Sequence, residues 1–244
     1  MTCDEKIFPE TKFGGFENID GTIAFYVRVN ALIKSSDLVL DFGCGRGEYQ
    51  DDPIPLRKNL RILRSKVQTV IGLDLDVKAA NNPFIDEFRL LESPSAGWPL
   101  EDHSIDLILT DWTLEHISNP DHFFSEASRV LKPGGYFCAR TTNAWGYVAL
   151  LSRIIPEKFH QSVLRKTQKN RKEVDIFPAY YACNSVPLLR KKLKQFDFTG
   201  VALGYAGPPG YLNFSCFLYY LGYLYERFAP HFLRITLMVF AQKN

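Results

Sequence analysis

Seven short apolar runs, separated by longer amphipathic segments, restrict this chain to a small set of folds. The runs are Leu38 to Phe42, Thr69 to Asp74, Phe88 to Leu91, Ile105 to Thr110, Tyr136 to Thr141, Phe198 to Gly204 and Arg234 to Ala241. Several are apolar throughout instead of alternating, the pattern of a parallel sheet covered on both faces. Amphipathic segments lie between them at Gly21 to Ile33, Pro55 to Lys66, Pro120 to Leu131 and Pro187 to Gln195. Strand and helix in alternation predict a doubly wound α/β fold. From Thr142 to Lys194 the alternation lapses, and this stretch reads as an insertion. In such folds ligands sit beyond the carboxyl ends of the strands, so chemistry is expected just after each strand and in the insertion.

A chain of 244 residues, 46% of them apolar, suits one domain with a substantial core. The net charge of +2 gives no case for nucleic-acid binding. Cys3, Cys44, Cys138, Cys183 and Cys216 are odd in number and form no CxxC or Cys/His cluster. No metal site is expected, and the five are expected to be reduced thiols in a cytoplasmic protein. The amino terminus has no apolar run of the signal-peptide kind. The longest uncharged stretch, Phe198 to Tyr225, is broken by Gly207-Pro208-Pro209-Gly210. Roughly 15 residues remain, where a membrane span needs about 20.

The sharpest local feature is Val39-Leu40-Asp41-Phe42-Gly43-Cys44-Gly45-Arg46-Gly47, an apolar strand followed by glycines at alternating positions. Glycine permits positive φ and removes Cβ, so a ligand can press against the backbone. A dinucleotide fingerprint would put its third glycine at position 48, where Glu48 stands and would repel a pyrophosphate. An Asp before such a turn suits a ligand with an amino-acid tail and no phosphate, such as S-adenosylmethionine. Taken alone, the glycines also fit an ordinary tight turn. The next strand ends at Asp74, which suits ribose hydroxyls or, more plainly, a solvated strand end. Asp51-Asp52-Pro53-Ile54-Pro55 looks like a loop added before the first crossover helix.

Four ordered blocks then resemble the class I S-adenosylmethionine-dependent methyltransferases, in the branch called methyltransferase type 11. They are LDFGCGRG at 40 to 47, IGLDLD at 71 to 76, WPLEDHSIDLILTDWTLEHI at 98 to 117 and EASRVLKPGGYFCARTTN at 126 to 143. The resemblance implies a Rossmann-like, mostly parallel seven-stranded sheet with helices on both faces and a helical insertion before the last two strands. It implies one domain, with an N-terminal helical cap at 1–37, a cofactor-binding core at 38–141, a substrate or lid insertion at 142–196 and C-terminal strands with an aromatic helix at 197–244. The implied cofactor is S-adenosylmethionine, leaving as S-adenosylhomocysteine. Its methionine part would lie among Asp41, Gly43, Cys44, Gly45 and Gly47, with Asp74 on the ribose and Leu75 against the adenine. Thr110 and Asp111, just after the fourth strand, would lie near the methionine tail or the sulfonium, and Glu92 near the adenine. Asp106 and Lys132-Pro133-Gly134-Gly135 read as structural.

A hydroxyl acceptor needs a base to take its proton, whereas an amine or a stabilised carbanion needs little help. The candidates are His116, His122, His160, His231, Asp111 and Asp175, of which His160, His116 and Asp111 are carried forward as catalytic. His122 follows a helix start and is expected at the surface. His160 shares the insertion with Asp175, Tyr180 and Tyr181, although Phe177 to Tyr181 also reads as aromatic bulk closing a pocket. From Leu151 to Gln195 stand eleven Lys/Arg against three acids, either a solvated helix face or a patch for an anionic acceptor or lipid surface. Tyr211 to Tyr225 holds an aromatic cluster that reads as core packing, a dimer surface or an interfacial element. The function expected is methyl transfer to a small-molecule or glycan acceptor at a hydroxyl, with no nucleic-acid partner. The alternatives are a non-catalytic scaffold on the same fold, or a lipid-linked, nitrogen or carbon acceptor met through peripheral membrane contact.

Overall fold

A computed structural model describes residues 3–154 and 178–244. Among them β1 (Leu38–Phe42), β2 (Thr69–Asp74), β3 (Glu87–Leu90), β4 (Ile105–Asp111), β5 (Leu131–Thr142), β6 (Phe198–Tyr205) and β7 (Thr236–Lys243) form one sheet, ordered β3-β2-β1-β4-β5-β7-β6. β7 runs antiparallel to β5 and β6, and the other neighbours are parallel. The order reverses between β1 and β4, so a crevice opens beyond their carboxyl ends. The helices are α1 (Cys3–Ile7), α2 (Gly21–Leu32), α3 (Pro55–Arg61), α4 (Pro120–Val130), α5 (Tyr147–Ile154), α6 (Val186–Gln195) and α7 (Cys216–Phe228).

Successive side chains of each strand serve opposite faces of the sheet. Val39 packs with Phe25, Tyr26 and Val29 of α2, whereas Leu40 and Phe42 pack with Phe123 and Trp98 on the other side. Phe42 meets Trp98 at 4.7 Å and Phe123 at 5.0 Å between ring centroids. Local signals set the helix starts: the Asp20 carboxylate accepts from Thr22 N and Ile23 N to open α2, and Asn119 with Pro120 opens α4. From α4, Phe123, Phe124, Ala127 and Val130 are buried at helical spacing.

The structure departs from the sequence expectation at three places. Helix α3 stops at Arg61 instead of Lys66 because the chain turns extended at Ile62 and left-handed at Ser65, which buries Leu63 and Val67 below β2. Strand β5 starts at Leu131, so Lys132 to Gly135 lie within it, across a register shift against β4. Gly134 takes φ +80°, and a Cβ on Gly135 would sit 2.9 Å from the Lys132 carbonyl, so that motif is structural here. Asp106 is structural too, accepting from Leu38 N at 2.9 Å and pairing with Lys132 at 2.8 Å. Finally, Cys216 is disulfide-bonded and not the reduced thiol expected. The cytoplasmic assignment rested on reduced cysteines, and only buried Cys44, Cys138 and Cys183 fit it among the described residues. No helix among the described residues is long and apolar enough to cross a membrane.

The Phe124 ring is fully buried between α4 and the sheet. Phe124→Ala is expected to cost about 3–5 kcal/mol by urea unfolding, the ordinary price of an aromatic-sized core cavity.

Candidate cofactor and acceptor site

Gly43, Gly45 and Gly47 follow β1 with φ of 72°, 53° and 73°, three left-handed residues in alternation. A Cβ on Gly43 would collide with Thr113, and one on Gly47 would sit 2.7 Å from Asn82 Oδ1. A Cβ on Gly45 would meet only the Glu48 carboxylate, at 3.3 Å, so this glycine is bare toward the crevice. Asn82 holds the loop from below. Its Nδ2 donates to the carbonyls of Cys44 (2.9 Å) and Gly45 (3.3 Å), while its Oδ1 accepts from Phe84 N at 2.9 Å. Asp74 at the tip of β2 accepts from Gly45 N at 3.0 Å and Asp76 N at 2.9 Å. Beyond it Leu75 is exposed, as is Glu92 past β3. Cys44 is buried over Gly72, and burial drives its thiol far above the usual range, so it is not a nucleophile.

Two carboxylates at the crevice behave differently. Asp41 is pushed up to about 7 by burial, with the Asp111 and Asp74 charges adding to it and only the Arg61 guanidinium opposing. No hydrogen bond to its carboxylate contributes among these causes. Asp111 ends β4 and is fully engaged. Arg140 donates from Nε at 2.7 Å and from Nη2 at 2.8 Å, and Tyr26 from its hydroxyl at 3.0 Å. Burial opposes ionisation of Asp111, yet these partners hold its carboxyl below the usual range. Arg140 also donates to Thr22 Oγ1 at 2.7 Å, and its guanidinium lies 5.0 Å from the Trp112 ring centre. Trp112 follows the strand at φ +59° and is 40% exposed. Thr110 and Asp111 are the last residues of β4, not residues after it, and Thr110 is fully buried.

The Leu114-Glu115-His116 turn grips the chain returning from the insertion. The Glu115 carbonyl accepts from Tyr180 N at 2.8 Å and Tyr181 N at 3.1 Å. His116 Nδ1 lies 2.9 Å from the Pro178 carbonyl, which can only accept, so this bond puts the proton on Nδ1 and makes Nε2 the basic nitrogen. Buried Glu115 accepts from the hydroxyls of Thr141 (2.6 Å) and Thr142 (3.2 Å), and Asn184 Nδ2 donates to Thr141 Oγ1 at 2.6 Å. His160, Asp175 and most of the basic stretch lie outside the described residues. His122 is half-buried against the Ala96 carbonyl (2.9 Å), and His231 lies 3.2 Å from the Gly204 carbonyl.

Residues 40–139 match a family model described as a methyltransferase domain. Over these residues, which are less than half of the chain, the sequence is similar to S-adenosylmethionine-dependent methyltransferases. A probable S-adenosylmethionine-dependent methyltransferase of Mycolicibacterium smegmatis is 33% identical over 110 residues, covering 43% of this chain and 38% of the relative. A sterol 4-C-methyltransferase of Caenorhabditis elegans is 28% identical over 133 residues, 53% of this chain and 39% of that one. The chain spans about a third to a half of the length of the curated relatives it matches. Geranyl diphosphate C-methyltransferase of Streptomyces coelicolor shares the fold at TM-score 0.55, 13% identity, over 91% of this chain and 77% of that chain.

The crevice fits the cofactor of this methyltransferase family. Gly45 presents backbone where a side chain would intrude, and among the described residues no hydrogen-bond donor meets the half-buried Asp41 carboxylate. Asn82, Tyr26 and Arg140 were not singled out from the sequence. They lie 38, 85 and 29 positions from their partners Cys44 and Asp111, and no local pattern encodes such pairings. The Arg140–Asp111 pair is 3% and 8% exposed. Arg140→Met is expected to cost about 3–5 kcal/mol by leaving a buried carboxylate unpaired, and adding Asp111→Leu to recover part of it, both read by urea denaturation.

Proposed function

We propose that this chain is an S-adenosylmethionine-dependent methyltransferase whose acceptor is a small organic molecule, methylated at a hydroxyl. When bound, S-adenosylmethionine supplies an electrophilic methyl group on its sulfonium, so the protein has to align, exclude water and manage one proton. Asp41 takes the ammonium of the methionine tail. Gly43, Cys44, Gly45 and Gly47 bring backbone against it. Asp74, which keeps acceptor capacity beyond its two backbone amides, takes the ribose hydroxyls, and Leu75 flanks the adenine, with Glu92 at the rim. Thr110 and Asp111 form the wall at the tip of β4. The observation that carries this assignment is Asp41: a carboxylate raised to about 7 in a crevice floored by bare glycine is suited to an ammonium partner.

For the proton, His116 is the stronger candidate among the described residues. The Pro178 carbonyl fixes the tautomer that leaves Nε2 basic, whereas both oxygens of Asp111 already accept from Arg140. Asp111 then orients the wall and Trp112, and His160 stays a candidate on sequence alone. A second assignment, a lipophilic acceptor methylated at carbon, is favoured by half-exposed Trp112 beside the strand tip and by the exposed outer face of α7, where Phe217 and Phe228 are 70% and 75% exposed. Relatives named as acting on a sterol and on geranyl diphosphate point the same way. A glycan or lipid-linked acceptor, and peripheral membrane contact, rest on the basic insertion and this aromatic helix.

The Asp41 assignment sets a pH dependence. Its folded value lies above the ordinary 3.8, so without cofactor the protonated form favours the fold, and that contribution fades as the pH rises from near 4 to about 7. Accepting from an ammonium requires the ionised form. S-adenosylhomocysteine affinity, measured by calorimetry, is therefore expected to rise between about pH 6 and pH 8, and Asp41→Asn to bind more weakly with that rise flattened. An unchanged profile in the variant would remove Asp41 from the site.

A further inference from the structure

Arg61 closes helix α3 and lies in the crevice between the tips of β1 and β4, although it belongs to none of the sequence motifs. Aromatic rings hold it there. Its guanidinium carbon is 4.4 Å from the Tyr49 ring centre and 5.8 Å from that of Tyr26. Tyr49 is stacked in turn on Phe84, at 4.6 Å and 23°. Its nearest approach to an acid is 3.7 Å, from Nη2 to Asp111 Oδ2, beyond hydrogen-bond reach. That carboxylate is already taken on both oxygens by Arg140. Arg61 Nε is buried with no hydrogen-bond partner among the described residues. A guanidinium is thus packed against aromatic rings with its Nε unpaired among the described residues, in the planar fork that matches a carboxylate.

The other common way to bind an anion after a glycine loop is the start of a long helix. Here Gly47 leads into a four-residue 3-10 turn, Glu48–Asp51, which carries two acids, and the next helix begins only at Pro55 and has seven residues. Asp41, across the same crevice, is the carboxylate on which Arg61 acts electrostatically. Opposite charges with their hydrogen-bonding capacity uncommitted, facing one crevice, are complementary to the ammonium and carboxylate of a free α-amino acid end. We propose that Arg61 binds the α-carboxylate of the methionine tail of S-adenosylmethionine, so that the chain reads the amino-acid end of its cofactor with a side chain carried by the first crossover helix. The inference rests on the cofactor assignment above and adds a residue and a ligand group to it.

The test titrates S-adenosylhomocysteine and 5′-methylthioadenosine, which lacks the amino-acid tail, into the wild-type chain, Arg61→Ala and Arg61→Lys. Arg61→Ala is expected to weaken S-adenosylhomocysteine by about 10- to 100-fold and to leave 5′-methylthioadenosine within about 2-fold, with Arg61→Lys between wild type and Ala for the first ligand. Retained 5′-methylthioadenosine binding also reports that the variant is folded. Unchanged S-adenosylhomocysteine affinity in Arg61→Ala, or an equal loss for both ligands, would overturn the role of Arg61 while leaving the cofactor assignment standing. Failure of the wild-type chain to bind either ligand would overturn both.

Discussion

The site depends on a stretch of backbone that must stay bare and must stay put. Three left-handed glycines carry the chain out of β1, and their conformation is fixed from beneath, by Asn82 on the Cys44 and Gly45 carbonyls and by the Asp74 carboxylate on Gly45 N. The second of these couples two functions in one group. The carboxylate proposed to hold the ribose is the same one that orders the loop proposed to hold the methionine tail, which couples the two proposed halves of the site.

Charge around that loop is arranged by engagement more than by number. Asp111 is paired with Arg140 and Tyr26 and stays ionised, whereas Asp41, on the neighbouring strand β1 and opposite Leu109, is raised by burial and by that same neighbouring charge. Two carboxylates at adjacent strand tips are thereby shifted in opposite directions, one held ionised by its partners and one raised, the second being the group proposed to meet a cation. Trp112 is held at positive φ with the Arg140 guanidinium against its ring, just past the tip of β4. On the same side the Glu115 carbonyl and His116 tether residues 178–181, so the turn after β4 also anchors the exit from the insertion.

Strand positions and the glycine loop were legible in the sequence because each is a local pattern: β1 and β2 fall at the expected residues, and every other strand within a few positions. What was not legible depends on distant partners. Lys132 to Gly135 looks like a turn by its proline and glycines, yet pairing against β4 draws it into a strand. Pro55 to Lys66 looks like one helix by periodicity, yet burial of Leu63 pulls the chain out at Ile62. Cys216 carries no neighbouring cysteine in sequence, and its disulfide exists only through the packing of the folded chain. Among site residues, acids at strand ends stood out, whereas Asn82 and Arg61 are ordinary residues of a loop and a helix end until the fold brings them to the crevice.

The central claim is that a nucleoside with an amino-acid tail lies against Gly45. Calorimetric titration of S-adenosylhomocysteine into the wild-type chain and Gly45→Arg tests it most directly, because a side chain there meets only the flexible Glu48 carboxylate and projects into the crevice. Saturable one-to-one binding in the wild type, lost in a variant that keeps its circular dichroism spectrum, is the predicted result. Binding that survives Gly45→Arg, or a wild-type chain that takes up a dinucleotide and ignores S-adenosylhomocysteine, would contradict it.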